Sequence, residues 1–281
     1  MDENSRVTSP ELTFLQAATY LSLPMLVLLG YELCGHFSRT ADEPLEGNVE
    51  INIPAATSTE EIAAYLNSFT RMSGLALAKE ALSYVSNHAL SAPEAVLATI
   101  YSLPVQEAGY GMGPVALNER IVVDGTDYER TARSRYPDIL FSFAPVGINY
   151  DGEDHLDLEG LVRTTRNAER ADGNEKPGAE AVLREKLNAV RNKVVDDNTR
   201  NRQLMAEGWL VLPATKENLF GWGNLDTYTQ ELLACARHFC SVDTSEYERV
   251  LDDTDNTRDR NQLLASMLPA GRPWGASHGR L

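Results

Sequence analysis

Two stretches of this 281-residue chain place carboxylates where strands would hold them rigidly. In Tyr136-Pro137-Asp138-Ile139-Leu140-Phe141 an acid opens an apolar strand. In Ile148-Asn149-Tyr150-Asp151-Gly152-Glu153-Asp154-His155 a second strand ends in Asp-Gly. If the two strands pair, Asp138 and Asp151 come together. Paired carboxylates suit a hard cation such as Mg²⁺, which wants oxygen ligands, negative charge and open positions for water and phosphate. His155 then serves as acid or base, or orients a phosphate. The same residues have a plainer reading. Asp138 caps a turn after Pro137, Asp151-Gly152 is an ordinary turn, and His155 sits on the surface. Spacing alone leaves both open.

The elements that must position these residues are legible in part. Ser9-Pro10-Glu11 opens a helix carrying Leu12, Leu15 and Tyr20 until Pro24 breaks it, and a second segment runs to about Gly35. Val49 to Ile53 alternates like a strand, and Ser58 with Glu61 forms a capping box opening a helix to about Phe69. Helices are expected over residues 75–88 and 92–103, the latter entered by Ser91-Ala92-Pro93-Glu94. Residues 109–114 are a glycine loop, followed by strands at 120–123, 139–143 and 146–150. Residues 156–180 read as an exposed insertion. A long helix over 179–207 carries Leu183, Leu187, Val190 and Val194 and is capped by Gly208. A buried strand at 209–212 and an amphipathic helix at 227–239 complete the pattern. The fold class is therefore α/β with α+β character: a mainly helical region over 1–90, a mixed sheet flanked by helices over 91–240, and an acidic tail over 241–281.

Composition narrows the function. Forty-one acidic residues against 25 basic ones give a net charge of −16, so any DNA contact needs a local basic strip. The densest strip is Arg184, Lys186, Arg191, Lys193, Arg200 and Arg202 on the long helix, either a solvated face or a ridge that tracks phosphates. Three cysteines, Cys34, Cys235 and Cys240, are too few and irregular for a disulfide framework or a zinc site and suit a reducing cytosol. The acidic start Met-Asp-Glu-Asn speaks against export, and the apolar run over 21–30 falls short of the roughly twenty residues a membrane span needs. A cytoplasmic protein without a membrane partner is expected. Asp252, Asp253 and Asp255 lack the glycine and terminal glutamate of a calcium loop, and no Gly-x-Ser-x-Gly elbow occurs.

The order of pieces from Ser91 to Leu219 resembles the very-short-patch-repair-type branch of the PD-(D/E)XK restriction-endonuclease-like superfamily. The matching pieces are the helix with Glu94, the Pro137-Asp138 strand, and the strand end Asn149-Tyr150-Asp151-Gly152-x-x-His155. After them come Asp197-x-x-Arg200-x-x-x-Leu204-x-x-x-Gly208 and the strand reaching Thr215. The layout also resembles actinobacterial proteins with such a domain behind a helical part, some labelled abortive-infection antitoxin-like. The resemblance implies a restriction-endonuclease-like sheet and a Mg²⁺-dependent DNA endonuclease. It implies Asp138, Asp151 and Glu94 as metal ligands and catalytic residues with His155, and Asp197 and Arg200 as helix residues facing the site or the DNA backbone. Lys193, Arg200 and Arg202 would contact nucleic acid. One departure stands out: Asn149 occupies the position where the pattern has a glutamate. Losing that charge weakens a cage for a cation that dehydrates reluctantly. The alternative function is therefore a non-catalytic module of the same fold, binding DNA or protein in a regulatory, toxin–antitoxin-like role.

Overall fold

A computed structural model describes residues 7–39, 49–123, 133–151, 164–166 and 176–267. Helix α1 (Pro10–Ala17) is capped by Ser9 and packs with α2 (Leu23–Cys34), where Pro24 lies in the first turn rather than ending a helix. The ring has no N–H to lose there, so the proline starts α2. Strands β1 (Phe37–Arg39) and β2 (Val49–Ile51) form a small antiparallel pair. Helix α3 (Thr59–Asn67) starts from the Ser58 cap, as its sequence predicts, and α4 (Leu75–Leu82) is shorter than its apolar pattern suggests. Helix α5 (Ala92–Ser102) is buried along nearly its whole length.

The central sheet differs from the expected one in its first strand. Its order is β3 (Val115–Leu117), β6 (Ile139–Phe141), β7 (Val146–Asp151) and β8 (Leu210–Thr215). Strand β6 runs antiparallel to β3 and β7, and β7 runs parallel to β8, so the sheet is mixed. The expected strand near Arg120 exists as β4 (Ile121–Val123), but it pairs with β5 (Arg133–Arg135) in a separate hairpin. Between β7 and β8 the chain forms α6 (Lys176–Ala206), which begins inside the segment read as an insertion; the remainder of that segment, 164–166 aside, lies outside the described residues. Parallel neighbours need such a crossover. The fold class is α/β, a mixed sheet flanked by helices.

Gly208 ends α6 at φ +85°, with its N–H bonded to the Met205 carbonyl. No atom lies within 4 Å of where a Cβ would stand, so backbone strain is the whole cost of a side chain. Gly208→Ala is expected to lower unfolding stability by about 1 kcal/mol. Urea titration checks this, and a loss below a few tenths would mean the helix end relaxes freely.

After α7 (Lys216–Phe220) and α8 (Asn224–Cys240), residues read from sequence as an acidic tail form two further helices, α9 (Ser245–Leu251) and α10 (Thr254–Met267). Leu251, Leu264 and Met267 are buried in the same core as Phe14, Tyr31 and Ile148, so one continuous core joins the N-terminal helices to the sheet. The Asp226 carboxylate of α8 accepts from Arg260 Nε (2.7 Å) and Nη2 (2.8 Å), from the Tyr110 hydroxyl (2.6 Å) and from Thr257 (2.5 Å). Burial alone would raise this acid, but Arg260 and the two hydroxyls hold it below its usual range. The cluster ties α10 to α8 and to the glycine loop. Among the described residues no helix is long and apolar enough to cross a membrane.

Candidate acidic corner

Glu94 sits in the first turn of α5 because Ser91 caps that helix, its hydroxyl accepting from the Glu94 N–H at 3.4 Å. The Glu94 carboxylate is fully engaged. Oε1 accepts from the Ser91 hydroxyl (2.7 Å), while Oε2 accepts from the Leu90 N–H (3.0 Å) and the Asn118 amide (2.8 Å). Asn118 follows β3 at φ +51°, a conformation asparagine tolerates better than most residues. Its N–H donates to the Asp138 carbonyl at 3.2 Å, and its amide also reaches the His88 carbonyl at 2.9 Å. Asn118 thus links Glu94 to Asp138. Sequence reading missed it, and the only available signal was an asparagine closing an apolar run before a charged pair.

The β6–β7 register pairs Ile139 with Ile148, which places Asp138 opposite Asn149. The two residues clasp each other's strands. Asp138 Oδ2 accepts from the Tyr150 N–H at 2.6 Å, and Asn149 Oδ1 accepts from the Asp138 N–H at 3.3 Å. Asn149 is buried, at 3% exposure. Asp151, two residues along on the same strand face, ends β7 opposite Thr215. Pro137 and Asp138 therefore open a strand as expected, and the structure brings Glu94, Asp138 and Asp151 to one corner of the sheet.

Electrostatics mark that corner. Asp138 is pushed up to about 7, first by burial and then by the neighbouring Glu94 carboxylate. Asp151 adds to the rise, while the Tyr150 N–H and the Arg200 guanidinium oppose it. Glu94 is also raised, by burial, against the pull of its three donors. Two carboxylates under mutual repulsion in a shielded place often mark a functional site, and structural networks produce the same signature. A cavity of about 520 Å³ lies elsewhere, against the outer strand β3, lined by His88, Val115, Leu117, Glu119, Leu140 and Trp209. None of the three acids lines it.

Compared with family models, curated proteins and solved structures, the chain matches none. The corner must therefore be judged on its own donors. Both Glu94 oxygens, Asp138 Oδ2 and Asn149 Oδ1 already accept hydrogen bonds from protein groups. Among the described residues no group of three or more His, Cys, Asp or Glu side chains is arranged to hold a metal ion. As arranged, the donor set does not fit Mg²⁺. His155, the expected acid or base, lies outside the described residues.

The expected nucleic-acid contacts separate on α6. Arg200 faces the corner and is paired with Asp197 at 3.3 Å. Lys193, one heptad earlier, shares that side, and its Nζ is shielded from water without a hydrogen-bond partner among the described residues. Arg202, exposed and donating to the Thr199 hydroxyl at 3.2 Å, falls on the other side of the helix. The three do not form one phosphate-binding face.

Proposed function

We propose that this chain is a restriction-endonuclease-like fold working as a non-catalytic, regulatory binding module. The observation that carries the reading is Asn149, a neutral amide opposite Asp138 that bonds to the Asp138 N–H rather than adding charge for a cation. Support for the fold comes from the order of elements: a helix bearing Glu94, three antiparallel strands, a long crossover helix and a parallel strand. The resemblance implies a helix with Glu94, a Pro137-Asp138 strand, a strand ending at Asp151, a helix with Asp197 and Arg200 and a strand reaching Thr215. The chain has these elements in that order. In this reading the acidic corner holds the end of the sheet together through hydrogen bonds, and recognition belongs to other surfaces.

A second reading, Mg²⁺-dependent hydrolysis of a DNA phosphodiester, draws on the raised Asp138. A carboxylate raised first by burial and then by a second one beside it is what a divalent cation would relieve. Plasmid nicking in millimolar Mg²⁺ and Mn²⁺ separates the two, with wild type and Asp138→Ala run side by side. We expect no metal-dependent nicking above the Asp138→Ala background. Nicking by wild type that disappears in Asp138→Ala would overturn the binding-module reading and make Asn149 a tolerated ligand.

A further inference from the structure

Two imidazoles 52 positions apart in the chain meet where the N-terminal helices join the entrance to α5. His36 follows α2, and its backbone N–H donates to the Ala89 carbonyl at 2.7 Å. His88 stands shortly before the Ser91 cap at φ +70°, a conformation that histidine adopts only where its surroundings impose it. Its N–H donates to the Cys34 carbonyl at 3.3 Å, and its own carbonyl accepts from the Asn118 amide at 2.9 Å. Both ends of the residue are therefore pinned.

The ring nitrogens have defined roles. A backbone carbonyl only accepts, so the 3.0 Å contact between His36 Nδ1 and the Ile53 oxygen places the proton of the neutral ring on Nδ1. A lone pair is left on Nε2, which faces His88 Nδ1 at 3.5 Å. The ring planes differ by 7° and their centres are 5.7 Å apart, so the facing nitrogens lie close to the line of centres and the rings meet edge to edge. At 3.5 Å the contact is at the far limit of hydrogen bonding. Two nitrogens bound to one tetrahedral zinc at about 2.0–2.1 Å stand roughly 3.4 Å apart. The gap fits an ion better than it fits a shared proton.

We propose that His36 Nε2 and His88 Nδ1 form a two-histidine site for a transition-metal ion of the Zn²⁺ class, with water completing its coordination. Imidazole suits Zn²⁺, Ni²⁺ and Cu²⁺, whereas Mg²⁺ and Ca²⁺ want oxygen. The bond from His36 Nδ1 to the Ile53 carbonyl is the outer support that metal-binding histidines use to fix tautomer and ring orientation. His36 is half-buried and held, while His88 is exposed, so its ring can turn to set the bond angle. His88 also lines the cavity beside β3, which leaves room for the ion's waters. Among the described residues no third His, Cys, Asp or Glu completes a closed cage, so the site is open. A net charge of −16 favours a cation. The bound ion would fasten the end of α2 to the turn whose Leu90 N–H and Ser91 hydroxyl hold Glu94. The inference goes beyond the binding-module reading and does not depend on it.

The test titrates the full-length, reduced protein with Zn²⁺ against a chromogenic chelator, as wild type, His36→Asn and His88→Asn. Asparagine removes the ligand at either place, tolerates the backbone of residue 88 and keeps an amide near the Ile53 carbonyl at residue 36. Wild type is expected to take up one equivalent, and each variant to bind it at least tenfold more weakly. Zn²⁺ should raise the melting midpoint of wild type alone. Mn²⁺, the weakest binder of the series, should leave it unchanged. Melts in chelator show that each variant folds, and nitrogen-15 spectra of the wild-type imidazoles identify the ligands without any variant. Added Zn²⁺ should move the His36 Nε2 and His88 Nδ1 signals. No uptake of Zn²⁺ by wild type, uptake that survives either substitution, or imidazole signals that stay in place would overturn the proposal.

Discussion

Asp138→Asn is expected to raise the thermal midpoint of the protein in mildly alkaline buffer. The sign follows from the direction of the shift. Asp138 titrates at about 7 in the folded chain against an ordinary value of 3.8, so the folded state holds the proton more tightly than the unfolded one. Stability from this group is full below the ordinary value and is lost as pH rises through the folded one. Above about pH 7 the folded protein carries an ionised Asp138 beside Glu94, at a cost of up to about 4 kcal/mol. Asparagine is neutral at every pH, keeps the shape, and offers an oxygen to the Tyr150 N–H. The difference between variant and wild type should therefore open between about pH 4 and pH 7 and then stay level. Glu94 shares the repulsion, so half the limiting value is a fair expectation, or a rise of several degrees for a chain of this size. Scanning calorimetry of both proteins across that range reads the effect. A variant less stable than wild type throughout would mean that the charged bond to Tyr150 outweighs the repulsion.

What the sequence disclosed is what local chemistry decides. Ser9, Ser58 and Ser91 cap helices with bonds spanning three residues, so each start is written within a few letters. The pairing of the strands that carry Asp138 and Asp151 was open to the sequence as a possibility, because only a short turn separates them, but the register that sets Asp138 opposite Asn149 was not. Distance in sequence hid the rest. Asn118 reaches Glu94 across 24 positions and follows a three-residue strand too short to show alternation. Arg260 reaches Asp226 across 34 positions, and the acidic composition around it masked two helices that close the core. The apolar stripe of α6 was plain from its period. A period says that a face exists and not how far it is covered, and here Leu187 and Val194 stay 48% and 44% exposed while Leu183 and Val190 are half-buried.

The same logic gives the sharpest test of what Asn149 does. Asn149→Glu is expected to lower stability markedly in metal-free buffer and to make it responsive to Mn²⁺, while wild type shows no response. Glutamate at a site only 3% exposed, opposite Asp138 and beside Asp151, adds a carboxylate where two others already strain Asp138. Burying that charge without a cation should cost on the order of 3 kcal/mol. The added side chain can still accept from the Asp138 N–H, so the strand clasp itself need not fail. A divalent cation would reverse the balance, because it supplies the positive charge that the four acids lack and binds only the folded arrangement. At a hundredfold excess over its dissociation constant it returns about 2.7 kcal/mol. Thermal melts with and without Mn²⁺, on Asn149→Glu alone and combined with Asp138→Asn, isolate the effect. Rescue in the single variant and its loss in the double one would mean that one amide separates a hydrogen-bonded clasp from a cation site. A single variant that melts low and ignores Mn²⁺ would mean that the bonds from Leu90, Ser91 and Asn118 hold Glu94 too firmly to turn, and that the corner is structural whatever stands opposite Asp138.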